Sequence, residues 1–330
     1  MELEFVEKSM STEQDAVELE AVEELRTVRD LIRWGASRFA AAGLVFGHGM
    51  DNPWDEATNL TLHTLHLPPQ VPDRIGNARL TTSERRKVIE LFRRRITERR
   101  PAAYLTQEVW FAGLPFYIDE RVLIPRSPIA ELIERGFDPW LSEQRIGRIL
   151  DIGTGSGCIA IACAMAFPGV TVDAVDISSD ALEVARINIE RHEVGDQVNL
   201  IHSDLYQGLG ERYYDLIVSN PPYVPLARMK TLPPEYQHEP ALGLAAGKEG
   251  LDTVSRLLQG ADRHLTMEGI LVVEVGDTST ALEERLPEVP FLWLDFERGG
   301  GGVFLLTAEQ VHNYRSYFNT MFQSASDLIC

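Results

Sequence analysis

An apolar run in the middle of the chain, YYDLIV, ends in SNPPYVP, residues 219–225. The proline after Asn220 pushes the asparagine backbone into an extended conformation. Neither Pro221 nor Pro222 has an N–H to donate. The corner therefore offers carbonyl acceptors in a stiff frame without competing donors, and Asn220 adds a side-chain carbonyl. Such a set can accept both hydrogens of one NH2 group, while Tyr223 presents a flat face to a planar neighbour. An NH2 attached to a carbonyl or an aromatic ring is a weak nucleophile, because its lone pair is delocalised. Two acceptors that fix both hydrogens push electron density onto nitrogen and hold it in line with an electrophile. A sulfonium methyl donor suits this arrangement, since its charge disappears on transfer and no strong base is needed first. The plain alternative is a proline-terminated turn after a strand.

A second candidate is DIGTGSG, running from Asp151 to Gly157. It follows a strand pattern and opens a helix, so Gly153, Gly155 and Gly157 stand where a ligand must approach the backbone closely. The spacing is G-x-G-x-G, one residue shorter than the dinucleotide fingerprint, which argues against a pyrophosphate. Asp176 ends the next strand, where a carboxylate can accept both hydroxyls of a ribose. Asp204 ends the third strand. Ligands of open α/β sheets bind outside the carboxyl ends of the strands, so Asp151, Asp176, Asp204 and Asn220 are expected to converge there. Each aspartate taken alone reads equally as a helix N-cap.

These residues need a scaffold, and the pattern supplies one. From about residue 126, strand and helix patterns alternate through RIGRILDIG, VTVDAVDIS, QVNLIHSDL, DLIVSN and GILVVEVG. That alternation predicts a mostly parallel sheet covered by helices, an α/β fold. PFLWLDF and GVFLLT, joined by ERGGGG, predict an antiparallel hairpin at the sheet edge. Residues 1–105 read as a small helical domain, of which 1–20 are expected to be frayed. Within it, Asn52 with Pro53 marks one helix start and Thr81 with Glu84 another. Residues 106–125 read as a β-hairpin linker, 126–310 as the catalytic domain and 311–330 as a tail.

The formal net charge is −19 over 330 residues. That favours a basic macromolecule or a small molecule as partner over nucleic acid. The basic run ERRKVIELFRRRITERR, residues 84–100, reads as the solvated face of one amphipathic helix. No apolar stretch is long enough to cross a membrane, and the acidic N-terminus is not that of a secretory signal. Cys158, Cys163 and Cys330 form no CxxC pair and read as small apolar residues in a reducing cytoplasm. No metal site is expected.

DIGTGSG, Asp176 and NPPY together resemble the class I methyltransferases that use S-adenosylmethionine on planar amides or exocyclic amines. Within that class, and over nearly the whole length, the chain is similar to the protein glutamine methyltransferases. One branch of that family modifies peptide release factors and another modifies large-subunit ribosomal protein three. IPRSPIAELI, TVRDLIRWGASRF and FGHGMDNPWDEA look like the ribosomal-protein branch. The resemblance implies a Rossmann-like, mostly parallel seven-stranded sheet with an antiparallel edge hairpin. It implies that Gly153, Gly155 and Gly157 cradle the methionine part of the donor and that Asp176 holds its ribose. Asp204 and Leu205 would border the adenine, with Phe111 of the hairpin nearby. Asp151 either borders the cofactor or anchors the turn. Asn220, Pro221 and Tyr223 would hold the glutamine, and the loop 236–252 would form part of a peptide groove. Three other readings are an adenine methyltransferase acting on a flipped base, a nicotinamide-dependent oxidoreductase, and an interaction protein on a retained fold. The roles of His48, Glu239 and Glu274 stay open at this level.

Overall fold

The computed structural model describes residues 15–68, 72–141 and 146–323. The chain divides into two compact units, Met1–Gln107 and Glu108–Cys330.

The first unit is helical: α1 (15–24), α2 (Val28–Ala41), α3 (Pro53–Thr64), a single turn α4 (Pro72–Ile75), α5 (Thr82–Glu98) and α6 (Ala102–Thr106). The expected starts hold, with Asn52 Oδ1 accepting from the Trp54 and Asp55 N–H groups at 3.0 and 2.9 Å. Thr81 and Glu84 form a reciprocal capping box. A second box, Thr27 with Asp30, splits a continuous apolar periodicity into α1 and α2. Residues 15–20, expected to fray, are helical, because Ala21 and Val22 at the end of that helix are buried in the core of the unit; residues 1–14 lie outside the described residues. Leu31, Phe39, Leu60, Val88 and Phe92 are fully buried. Gly35 admits Phe92 so closely that a Cβ there would lie 2.4 Å from the ring. The basic run is not one solvated face. Arg85 is buried and donates to Val22 O, Leu80 O and Thr82 Oγ1, and Arg95 is buried against Glu56 at 2.7 Å.

The second unit opens with a hairpin, β1 (Glu108–Phe111) and β2 (Leu114–Tyr117), turned by Ala112 and Gly113 at φ +48° and +74°. Left-handed residues at both central positions match the twist of a two-residue hairpin. A short α7 (Ile129–Glu134) leads into β3 (Arg148–Ile152), α8 (Cys158–Ala166), β4 (Thr171–Asp176), α9 (Ser179–Arg191), β5 (Val198–His202) and β6 (Tyr214–Ser219). After a turn α10 (Leu226–Met229) come α11 (Asp252–Ala261), β7 (Leu265–Glu274), α12 (Ser279–Arg285), β8 (Leu292–Trp293), β9 (Val303–Thr307) and α13 (Ala308–Gln323).

The sheet has seven strands in the order β5-β4-β3-β6-β7-β9-β8. The first five pair in parallel, and β9 runs antiparallel to both β7 and β8. The edge hairpin expected from the sequence is present, with β9 inserted inside β8. Apolar strand residues such as Leu150, Ile217, Leu271 and Phe304 pack with α11, α12 and α13 in one core. The expected tail is corrected here. Ala308–Gln323 is helix, because Val311 and Phe318, two turns apart, are fully buried in that core. Among the described residues no helix is long and apolar enough to cross a membrane.

Candidate active site

Parallel pairing fixes which residues meet. Ile152 pairs with Val175 on one side and Ser219 on the other, while Asp176 pairs with His202. The residues just past β3, β4, β5 and β6 therefore line up along one edge. The Ser219 hydroxyl donates to Ile152 O at 2.7 Å and ties two of these strand ends together. A cavity of ≈ 240 Å³ opens there, and Gly153, Gly155, Asp176, Asp204, Leu205, Asn220 and Pro221 all line it.

The glycine turn is held from β4. Gly153 N and Thr154 N donate to Val175 O at 2.8 and 2.9 Å, and Gly155 N donates to Asp176 Oδ2 at 2.9 Å. Gly153 and Gly155 have φ of +74° and +54°. A Cβ on Gly155 would meet nothing within 4 Å, so that residue faces open space. Gly157 has a different task. It precedes α8, and a Cβ there would press on Ala185 of α9 at 3.2 Å, so it serves helix packing and does not line the cavity.

Asp176 accepts one backbone N–H on each oxygen, from Gly155 and from Ser178, both at 2.9 Å. A carboxylate has about four lone-pair positions, so acceptor capacity remains on each oxygen. Burial raises its pKa, and the two backbone donors act against that shift. Asp204 pairs with Arg256 at 2.7 Å. Leu205 beside it has φ +50°, a left-handed backbone that an L side chain rarely adopts. Ser203 Oγ holds the turn by donating to Leu205 O and accepting from Gly208 N.

Asp151 is fully buried and does not line the cavity. Its Oδ2 accepts from Thr154 Oγ1 at 2.6 Å and from Ala160 N at 3.2 Å, bracing the glycine turn. Burial pushes its carboxyl up to about 7. Phe111 is also outside the cavity. It sits 4% exposed against Phe116, which packs on His192 at the C-cap of α9; the hairpin region contributes Arg121, Val122 and Leu123 instead.

At the NPPY corner, the Asn220 Oδ1 is buried with no hydrogen-bond partner among the described residues. A buried, unpaired acceptor costs about 1–3 kcal/mol. Asn220 lines the cavity, so this acceptor is available to a ligand donor there.

With that geometry in hand, comparison with known proteins decides the family. A family model described as "Methyltransferase small domain" matches residues 138–231. A ribosomal protein uL3 glutamine methyltransferase of Xanthomonas campestris pv. campestris is 53% identical over 291 residues, 88% of this chain and 94% of that protein. One of Bordetella pertussis is 49% identical over 291 residues, 88% of this chain and 98% of that protein. The chain belongs to this family. Among solved structures, a methyltransferase from Pyrococcus furiosus is similar over 59% of this chain and 89% of its own, at 24% identity and a TM-score of 0.43.

In this member of the family, several contributions escape a reading of motifs. Beyond Tyr223, the chain from Val224 to Leu226 forms a short parallel ladder with 244–247, through Val224 N to Leu244 O, Ala246 N to Val224 O and Leu226 N to Gly247 O. This draws Pro240, Leu242, Gly243 and Ala245 into the cavity wall. Glu239 anchors the same loop: it accepts from Arg126 at 2.6 and 2.9 Å and from Ile124 N at 3.0 Å. Tyr223 points its hydroxyl to Glu274 at 3.0 Å and is not among the cavity-lining residues. His48 is buried in the helical unit.

Proposed function

We propose that this protein transfers a methyl group from S-adenosylmethionine to the side-chain amide nitrogen of a glutamine in the large-subunit ribosomal protein uL3. The observation that carries the reading is the unpaired Asn220 Oδ1 in the wall of a cavity that also holds the glycine turn and Asp176.

The residues present fit the donor. Asp176 has acceptor capacity left for two hydroxyls of a ribose, and Gly153 and Gly155 leave a side-chain-free floor for the methionine part. Asp204 and Leu205 would border the adenine end, with Arg256 held on Asp204 beside it. The bound donor supplies an electrophilic methyl carbon on a positively charged sulfur. Asn220 Oδ1 and the Pro221 carbonyl accept one amide N–H each, which orients the glutamine nitrogen and restores density to its lone pair. With the donor bound, that lone pair would form the new N–C bond as the C–S electrons returned to sulfur, and one N–H proton would pass to water. Leu123, Pro240 and Leu242 in the wall limit water at the reacting atoms. Asp151 acts beneath the turn as its brace.

We assign selection of the protein substrate to the helical unit, and its target places the reaction in the cytoplasm. Deletion of residues 1–107 is expected to spare donor binding and abolish protein methylation; retained selectivity for uL3 would remove this role. The decisive test of function is incubation of the full chain with labelled donor, separated ribosomal proteins and release factors. Mass spectrometry should place the label on a glutamine amide of uL3. Label on a release factor would move the chain to the other branch, and no labelled protein at all would sink the reading.

A further inference from the structure

Glu274 ends β7 in a run of apolar neighbours, Val272, Val273 and Val275, all fully buried. A carboxylate in such a place lowers stability unless its oxygens are bonded. Both oxygens are. Oε1 accepts from the Tyr223 hydroxyl at 3.0 Å, and Oε2 accepts from the Ser127 hydroxyl at 2.5 Å. Ser127 Oγ in turn accepts from Ile129 N at 3.2 Å, which fixes its own orientation. The tyrosine is confined elsewhere too. A Cβ on Gly276 would lie 2.7 Å from its ring, and a Cβ on Gly250 would lie 2.3 Å from its carbonyl oxygen. Hydroxyl, ring and carbonyl are thus each pinned, and only the hydroxyl is pinned through a side-chain hydrogen bond.

We propose that Glu274 is a positioning residue for the methyl transfer: through the Tyr223 hydroxyl it fixes that side chain, and with it the Asn220–Pro221 acceptors that hold the glutamine amide. This rests on the function proposed above. An apolar residue would serve the sheet better than a buried carboxylate. Glu274 earns its place because one carboxylate can accept from two hydroxyls that arrive from chain segments far apart in sequence. Ser127 supplies the second anchor, so a rotation of Tyr223 must break a bond at a group already held elsewhere.

The test compares Glu274→Gln, Tyr223→Phe and the double variant in the full chain. Glu274→Gln should lower kcat by roughly 10- to 100-fold, with donor affinity by calorimetry and thermal midpoint close to wild type. In the Tyr223→Phe background the same change should add little, because the contact it acts through is already gone. Wild-type kcat in Glu274→Gln, or an effect undiminished in the Tyr223→Phe background, would overturn the proposal. A readout independent of turnover is the 19F spectrum of 3-fluorotyrosine placed at 223. One sharp line is expected with Glu274, and a shifted or broadened one with Glu274→Gln. A line indifferent to the substitution also overturns the proposal, whatever the substrate. A responsive line in an enzyme that methylates nothing would strike the proposed function and leave the positioning of Tyr223 standing.

Discussion

Arg85 of the helical unit and the side-chain oxygen of Asn220 in the sheet unit are both shielded from water. Arg85 donates from all three guanidinium nitrogens to Val22, Leu80 and Thr82. Asn220 Oδ1 has no partner among the described residues. The first is a polar group used to join helices, and its loss would be felt as instability. The second is left unsatisfied in a cavity wall, and its loss should be felt in chemistry. Polarity and burial alone do not separate structure from function, and neither does an unpaired atom by itself, since Asp151 Oδ1 is also without a partner; what sets Asn220 apart is that its unpaired oxygen belongs to a residue of the cavity wall.

Substitutions on the two sides of this contrast should fail in different ways. On the paired side, Arg95→Ala removes the cation from a buried carboxylate, Glu56, and should destabilise the chain by about 3–5 kcal/mol. Urea denaturation measures this, and donor binding to the remaining folded protein should be unchanged. A loss within the range of surface substitutions would break the contrast. On the unpaired side, Asn220→Ala should cost about 10²–10³ in kcat, with a wild-type thermal midpoint and donor affinity. Equal methyl transfer by that variant would remove Asn220 from the reaction.

Asp176 stands between the extremes, since each oxygen is half used. Asp176→Ala should weaken donor binding by roughly 1.5–3 kcal/mol, read by calorimetry; unchanged affinity would refute its role. Asp151 sharpens the contrast through pH. Its carboxyl is pushed up by burial to about 7 from an ordinary 3.8. Between those values the folded chain holds a proton that the unfolded chain has released. The contribution to stability is therefore full below the lower value and is lost as pH rises toward the upper one, by at most about 1.4 kcal/mol per pH unit. Asp151→Asn should flatten that part of the stability curve, and an unaltered curve would count against the assignment.

The strand-end residues were legible in the sequence because parallel pairing leaves little freedom. Once β3, β4, β5 and β6 are neighbours, the residues after each must share an edge. The Thr81–Glu84 box was legible because it is local. What escaped is long-range. Arg126 and Glu239 are 113 residues apart, and Ser127 and Glu274 are 147 apart. No periodicity links such pairs, so Glu239 and Glu274 looked like loop and strand charges without partners. Local alternation also placed Phe111 in a hairpin without telling which side faces the cavity; its ring went to Phe116. The Thr27–Asp30 box is equally local, and its spacing marks the start of α2 although an apolar stripe runs through it. In the expected tail, Val311 and Phe318 stand two helical turns apart, a signal too sparse to separate a packed helix from a loose end.

Pro221 and Pro222 carry no amide hydrogen, so deuterium labelling is blind at the very corner proposed to grip the glutamine. A reporter just beyond it is Val224, whose amide hydrogen is engaged by Leu244 at 2.8 Å across the loop ladder. Any opening of this corner during turnover would thus be recorded two residues beyond Pro222, as faster exchange at Val224 together with Ala246.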